Sequence, residues 1–355
     1  MLMHPKHVLS IVPRLPPRVD GVGDYALVMA RAMKSRHDVE TTFVVLDPAW
    51  SGADQIEGFS VKKIGSRDQA SLINLVGHLL TPESAVLLHY VGYGYAKRGC
   101  PVWLLRGLSS LKKERPFKLV TMFHELFAFG PVWTSQFWLS PVQRYIVRKL
   151  SVLSDEKLTS LNLYQRMIGA KYSQPVISNI GEPTAVLPLR TRKNQIVIFG
   201  SPGPRERVYQ FSRDHLEKLC RVFSISTIID VGSPVSVELP VISGVNVVKK
   251  GVLGKDEVSL ILSESMIGFF NYPSTYISKS GIFAAYCAHG VLPVGHFYPD
   301  QKSEEAIEGE TFLFADHIPT DFSLKDAEKI AAGAFAWYQG HRSEVHADQF
   351  FRSLN

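Results

Sequence analysis

Cysteine is scarce and poorly placed for cross-linking: Cys100, Cys220 and Cys287 are widely spaced and odd in number. They supply neither a disulfide framework nor a zinc knuckle, and they read as reduced thiols in a cytoplasmic protein. No run of eighteen uncharged apolar residues is present, so a spanning helix is not expected. The first apolar run, VLSIV, stops at Pro13, Arg14, Pro16 and Pro17. It is too short for the apolar core of a signal peptide and reads as a buried strand. An HExxH pattern and a paired-carboxylate constellation are missing, and Asp155-Glu156 has no partner at ligand spacing, so no metal is expected. Low-complexity tails and short-period repeats are missing as well. Excess charge is small: Lys plus Arg number 39 against 33 Asp plus Glu, a net +6 with histidine neutral. That excess suits an anionic ligand and leaves room for peripheral contact with an acidic inner membrane face. It is scattered and carries no aromatic-and-basic module, so no nucleic-acid partner is expected.

What is present describes a folded protein with two cores. The chain has 355 residues, 45% apolar and 20% charged, which suits two domains of roughly 170 residues each. Strands are expected at His7–Val12, Val39–Leu46, Ile56–Val61, Ala85–Tyr90 and Phe117–Phe123. Between them lie helices near Asp24–Met33, Gln69–Leu79, Trp103–Lys113 and Gln136–Leu150, the last with Pro141 at its start, and a further one at Leu158–Ile168. The segment Gly181–Asn194 is proline-containing and basic and reads as a linker. After it the alternation resumes with IVIFG, a helix near Asp214–Cys220, strands at Thr227–Val231 and Val245–Lys249, and a helix opening at Lys255. Alternation of this kind indicates two Rossmann-like α/β domains with mostly parallel sheets, 1–185 and 195–355.

The second domain centres on Met266–His296. A buried strand, MIGFF, gives way to a polar loop, a helix over Ile282–Ala288 and a second apolar run, Val291–Val294. Ser278 or Ser280 caps that helix, and Lys279 stands at its N-terminus, where a phosphate is favoured. In the first domain, Gly21 and Gly23 precede a helix that Asp24 caps, leaving Asp20 as the better candidate for an acceptor contact. His124 and Glu125 follow the apolar strand FKLVTMF, and a histidine at a strand's C-terminal end faces the crevice of such a sheet. His89, Tyr90, Tyr93 and Tyr95 form an aromatic loop suited either to a sugar or lipid or to packing on a neighbour. Lys249-Lys250 is either a base-binding site or a solvated edge.

Four stretches, PPRVDGVGDYALVMARAM, TMFHEL, VISNIGEP and GVLGKDEVSLILSESMIGFFNYPS with GIFAAYCAHGVLPVGH, resemble those of two-domain (GT-B type) retaining glycosyltransferases of the family 4 group. The resemblance spans nearly the whole chain. It implies a nucleotide-sugar donor, UDP- or GDP-linked, held by the C-terminal domain. It also implies a saccharide, lipid-linked or small-molecule acceptor on the N-terminal domain, and a cleft between the two. Hexosyl transfer with retention, without a metal or further cofactor, and a last helix returning to the N-terminal domain follow from the same likeness. On it, Gly21 and Gly23 approach the donor phosphate, His124 lies near the reacting sugar, and Arg205 or Arg207 serves the phosphates. The family's last motif carries two glutamates; here Ile277 and Ala285 stand in their places. That departure leaves two other readings, a catalytically inactive sugar- or nucleotide-binding protein and a phosphorylase or epimerase on the same fold.

Overall fold

The computed structural model describes residues 6–18, 20–128, 130–239, 241–242, 244–296, 303–319 and 321–355. The chain divides into two compact units, Met1–Gln174 with Ser343–Asn355, and Pro175–Arg342. The division falls ahead of the stretch read as a linker, for a physical reason. Arg192, 6% exposed, donates to the carbonyls of Leu187, Leu262, Ser265 and His289, tying that stretch into the second unit. Burial lowers its pKa to about 10.

The first unit runs β1 (His7–Val12), α1 (Gly21–His37), β2 (Glu40–Val45), β3 (Gln55–Ile56), β4 (Phe59–Lys63), α2 (Gln69–Leu79), β5 (Ser84–Tyr90), α3 (Gly92–Tyr95), α4 (Val102–Glu114), β6 (Lys118–Phe123), α5 (Ser135–Leu153), β7 (Glu156–Thr159), α6 (Asn162–Ile168) and β8 (Tyr172–Ser173). The strands form one sheet in the order β3-β4-β2-β1-β5-β6-β7-β8, parallel except for the β3–β4 hairpin. Glu57 and Gly58, both at positive φ, make that hairpin's two-residue turn and split the single strand expected at Ile56–Val61. Helices cover both faces of such a sheet, so its central strands are continuous apolar runs; every residue of β5 is buried. The helix expected over Leu158–Ile168 is instead a strand followed by a helix, because Lys157–Thr159 pair with β6. Pro141 lies inside α5 rather than at its start.

The second unit runs β9 (Lys193–Phe199), α7 (Pro202–Phe211), α8 (Arg213–Val222), β10 (Thr227–Val231), β11 (Asn246–Gly251), α9 (Lys255–Glu264), β12 (Ser265–Asn271), α10 (Gly281–Ala288), β13 (Leu292–His296), β14 (Leu313–Phe314) and α11 (Leu324–Gln339). Its sheet, in the order β11-β10-β9-β12-β13-β14, is parallel throughout the described residues. Two cores lie on its faces with the period of a strand. Ile196 and Ile198 pack with Leu216, Leu219, Ile267 and Phe269, while Val197 and Phe199 pack with Phe270, Ala284 and Tyr286. Gly268 makes the second core possible, since a Cβ there would come within 2.4 Å of the Tyr286 ring. After α11, α12 (Ser343–Leu354) belongs to the first unit. Its Asp348 accepts from Arg36 and His37 at the end of α1, and Phe351 stacks on His37 at 4.1 Å.

Candidate functional site

In open parallel sheets, ligands gather at the C-terminal ends of strands where the order of construction reverses. In the first unit that reversal lies between β1 and β5, since β2 and β4 build outward on one side and β5, β6 and β7 on the other. His89, the penultimate residue of β5, and His124, just after β6, meet there with Nδ1 of His89 3.1 Å from Nε2 of His124. One nitrogen donates and the other accepts. Burial pushes the His89 imidazole down to about 3, so it is neutral near pH 7, and its Nε2 has no partner among the described residues. Tyr25 on α1 stands edge-on to His124, with ring centroids 5.1 Å apart, and its hydroxyl meets Nδ1 of His346 on α12 at 2.9 Å. His124 is 8% exposed and packed among rings, while Glu125 beside it is exposed.

The expected capping roles are exchanged. Asp20, not Asp24, caps α1: its Oδ1 accepts from the amides of Val22 and Gly23 at 3.0 and 2.9 Å. The same carboxylate lies 3.8 Å from Arg14. Gly21 is exposed with open space where a Cβ would stand, whereas a Cβ on Gly23 would come 2.1 Å from the Arg14 carbonyl oxygen. Gly23 is thus required by packing, and Gly21 is the glycine of the pair with room above it. Tyr90 and Tyr95 of the aromatic loop are core residues, Tyr95 donating to the His89 carbonyl at 2.7 Å, and Tyr93 alone of the three tyrosines is exposed. Tyr25 and His346 escaped the sequence reading because 321 positions separate them.

In the second unit the reversal lies between β9 and β12. Arg205 stands beside it but is not available to a ligand. Its guanidinium is buried, forked onto Asp230 at 2.6 and 3.1 Å, and its remaining nitrogen donates to the carbonyls of Gly200 and Ser233. Of the two expected phosphate-binding arginines, Arg207 is the half-buried one, with Nε 3.4 Å from Oδ1 of Asn271 at the end of β12. Ser280 caps α10 by accepting from the Phe283 amide at 3.2 Å. Lys279 precedes it with its ammonium 5.7 Å from the centre of the Tyr276 ring. The segment before the former linker joins this edge: Val176 donates to the Ser278 carbonyl, and the Asn179 amide nitrogen is 3.8 Å from where a Gly281 Cβ would be. Ile277 and Ala285 are wholly buried in the apolar core, so neither position offers a polar group to a sugar.

Beside Asn271 in the register is His296, at the end of β13. Ser212 meets its Nδ1 at 2.7 Å, and Nε2 of the neighbouring His215 lies 2.7 Å from Oδ1 of Asp316. Burial and the facing His215 ring push the His296 imidazole below its ordinary value. The ligand atoms of His215, His296 and Asp316 lie within 4.8 Å of one another, a set that could take a divalent cation. Their sequence spacing hid this grouping. Among the described residues, no helix is long and apolar enough to cross a membrane.

No protein-family model and no curated protein matches the sequence. Solved structures do match in fold. An alpha-glucosyltransferase in complex with UDP superposes with a TM-score of 0.61 at 11% identity, covering 98% of this chain and 99% of that one. TarM gives 0.65 at 9% identity, covering 99% of each chain. The lipopolysaccharide outer core galactosyltransferase WaaB gives 0.54 at 9% identity, covering 98% and 99%. Further structures of the alpha-glucosyltransferase hold DNA, one with an abasic site and UDP-glucose, another a 13-mer with UDP. They overturn the exclusion of nucleic acid: this fold accommodates DNA, and a modest net charge does not preclude a local surface for it. At identities this low the likeness concerns architecture. The chain has the two-unit, parallel-sheet α/β fold of the GT-B glycosyltransferases.

Proposed function

We propose that the protein is a glycosyltransferase that moves a hexose from a UDP-sugar to an acceptor hydroxyl, with retention and without a metal in the transfer step. The observation that carries this reading is the likeness, over nearly the full length of both chains, to several different sugar transferases. The donor is assigned to the C-terminal edge of the second unit. There the N-terminus of α10, Lys279 and Arg207 supply positive potential for a diphosphate, and Ser280 holds the helix end in place. Leaving-group charge grows during transfer, so cations set in advance favour the transition state over the bound donor. Gly21, with open space above it, is the position in the first unit where backbone can approach a phosphate.

His124, with Glu125 next to it, is assigned to the transferred sugar or the acceptor. The buried, neutral His89 fixes the His124 ring, and the Tyr25 edge limits its rotation. Asp20 is assigned to holding α1 and Arg14 in place rather than to the acceptor, because its carboxylate is already engaged.

Incubation with UDP- and GDP-sugars and a panel of acceptors, duplex DNA included, tests the proposal through release of nucleoside diphosphate. Lys279→Ala is expected to lower donor affinity or turnover at least about tenfold, the size of one partly desolvated charged contact. Unchanged affinity together with unchanged turnover removes Lys279 from the site. A second reading, a binder without turnover, is favoured by the burial of Ile277 and Ala285 where the resembled family has carboxylates. It predicts a thermal shift with nucleotide sugar and no diphosphate release with any acceptor.

A further inference from the structure

Helix α5 and the turn before it carry a large apolar face that the fold leaves uncovered. Trp133 is 82% exposed, Trp138 70%, Tyr145 56% and Val152 80%, with Phe137 and Val142 exposed as well. Trp138, Val142, Tyr145 and Val152 recur at intervals of four, three and seven, which sets them in one stripe along the helix. The opposite side, Gln143, Ile146, Val147 and Leu150, is buried against the unit and accounts for the helix's stability. Scattered exposed apolar residues are ordinary, but a helical stripe that carries Trp138, with Trp133 exposed in the turn just before it, marks an interaction surface.

The charge on this stretch is of one sign. From Leu126 to Ser154 the sequence contains no aspartate or glutamate, and its charges are Arg144, Arg148 and Lys149. All three are exposed, and the Lys149 ammonium lies 5.7 Å from the centre of the Tyr145 ring. Indole and phenol rings settle at the depth of lipid headgroups, and neighbouring arginine and lysine meet the phosphates above them. Duplex DNA would ask for a different surface. Its phosphates present about one charge per 1.7 Å of axis, whereas α5 offers only three cations, Lys149 within the apolar stripe beside Tyr145 and Arg144 and Arg148 along one side of it.

We propose that α5 is a docking face for an anionic lipid surface. Trp133, Phe137, Trp138 and Tyr145 enter the headgroup layer, and Arg144, Arg148 and Lys149 hold its phosphates. The proposal stands apart from the transferase reading, because none of these side chains is assigned a part in transfer and its test uses no sugar donor.

The experiment is co-sedimentation of the full chain with phosphatidylcholine vesicles, alone or mixed with phosphatidylglycerol, alongside a duplex DNA mobility assay and sedimentation velocity. The wild-type chain is expected to pellet with the mixed vesicles, with a blue shift in tryptophan emission, and to remain in solution with phosphatidylcholine alone. Trp133→Ser/Trp138→Ser and Arg148→Gln/Lys149→Gln should each weaken binding at least about tenfold. Both should leave the melting temperature in place, since the replaced side chains are exposed. Three results overturn the proposal: no binding to mixed vesicles, equal binding to both vesicle types, or binding that the variants leave intact. Loss of DNA binding or of self-association in the same variants, without vesicle binding, reassigns the face to nucleic acid or to a second copy of the chain.

Discussion

Replacing Arg205 by alanine separates two roles that a sequence cannot tell apart. A phosphate ligand would lose donor affinity and keep its stability; a buried structural pair does the reverse. The side chains of Arg205 and Asp230 are 2% and 4% exposed, so solvent screens their interaction little. The substitution removes both bonds of the fork and the two bonds to the Gly200 and Ser233 carbonyls. It leaves the Asp230 carboxylate buried with the Tyr209 hydroxyl as its donor. Breaking a buried pair in this way costs about 3–5 kcal/mol, a large part of the roughly 5–15 kcal/mol that holds a domain folded. For a unit of this size the expected fall in melting temperature is roughly 6–20 °C. Two units need not unfold together, so the suitable assay is hydrogen exchange of the β9 and β10 amides, read beside nucleotide titration. Arg205→Met/Asp230→Asn should recover part of the loss by removing the unpaired charge. Unchanged protection of both strands, with nucleotide affinity lost, would refute the structural role.

The glycine pair offers a second comparison. Gly23→Ala is expected to cost about 1–3 kcal/mol in urea unfolding, because its Cβ meets the Arg14 carbonyl. Gly21→Ala should be nearly neutral, and equal effects would mean that the backbone there yields. A third prediction concerns acid. Burial lowers the folded pKa of His89 to about 3 and of His289 and His341 to about 4. The unfolded chain therefore takes up protons first, near 6.5, and stability present above that pH is lost as pH falls toward 4. The urea midpoint should drop between pH 7 and 5, and His89→Gln should flatten that drop; a midpoint independent of pH contradicts the neutral burial. Finally, Tyr25→Phe, which strips the 2.9 Å contact from His346, should raise exchange in α12 selectively.

The sheets were legible because parallel strands covered on both faces announce themselves as apolar runs. His7–Val12, Thr227–Val231 and Gln69–Leu79 have the bounds expected of them. Less was legible where tertiary pairing outweighs local pattern. Leu158 and Thr159 look helical in sequence but complete a strand beside β6. Pro202, Gly203 and Pro204 disguised α7, although proline suits the first turn of a helix. The candidate sites were legible as strand ends and glycine turns, since those follow from order along the chain. Which side chains are already engaged was not. Asp20 and Arg205 both look like free charges until the amides and carbonyls around them are in place.

Because α12 follows the second unit in sequence and belongs to the first, the two units are finished in an order different from the one in which they are begun. During synthesis the first unit's sheet can assemble once β8 has emerged, but Tyr25, Arg36 and His37 then lack the partners that α12 brings. The whole segment Pro175–Arg342 must be made first. At roughly 5–20 residues per second, that interval lasts about 10–30 s, during which the α12-facing side of α1 is open to solvent and to chaperones. The nascent chain is therefore expected to pass through a stage in which strands β1 to β8 are already protected from protease while α1 can still be cut.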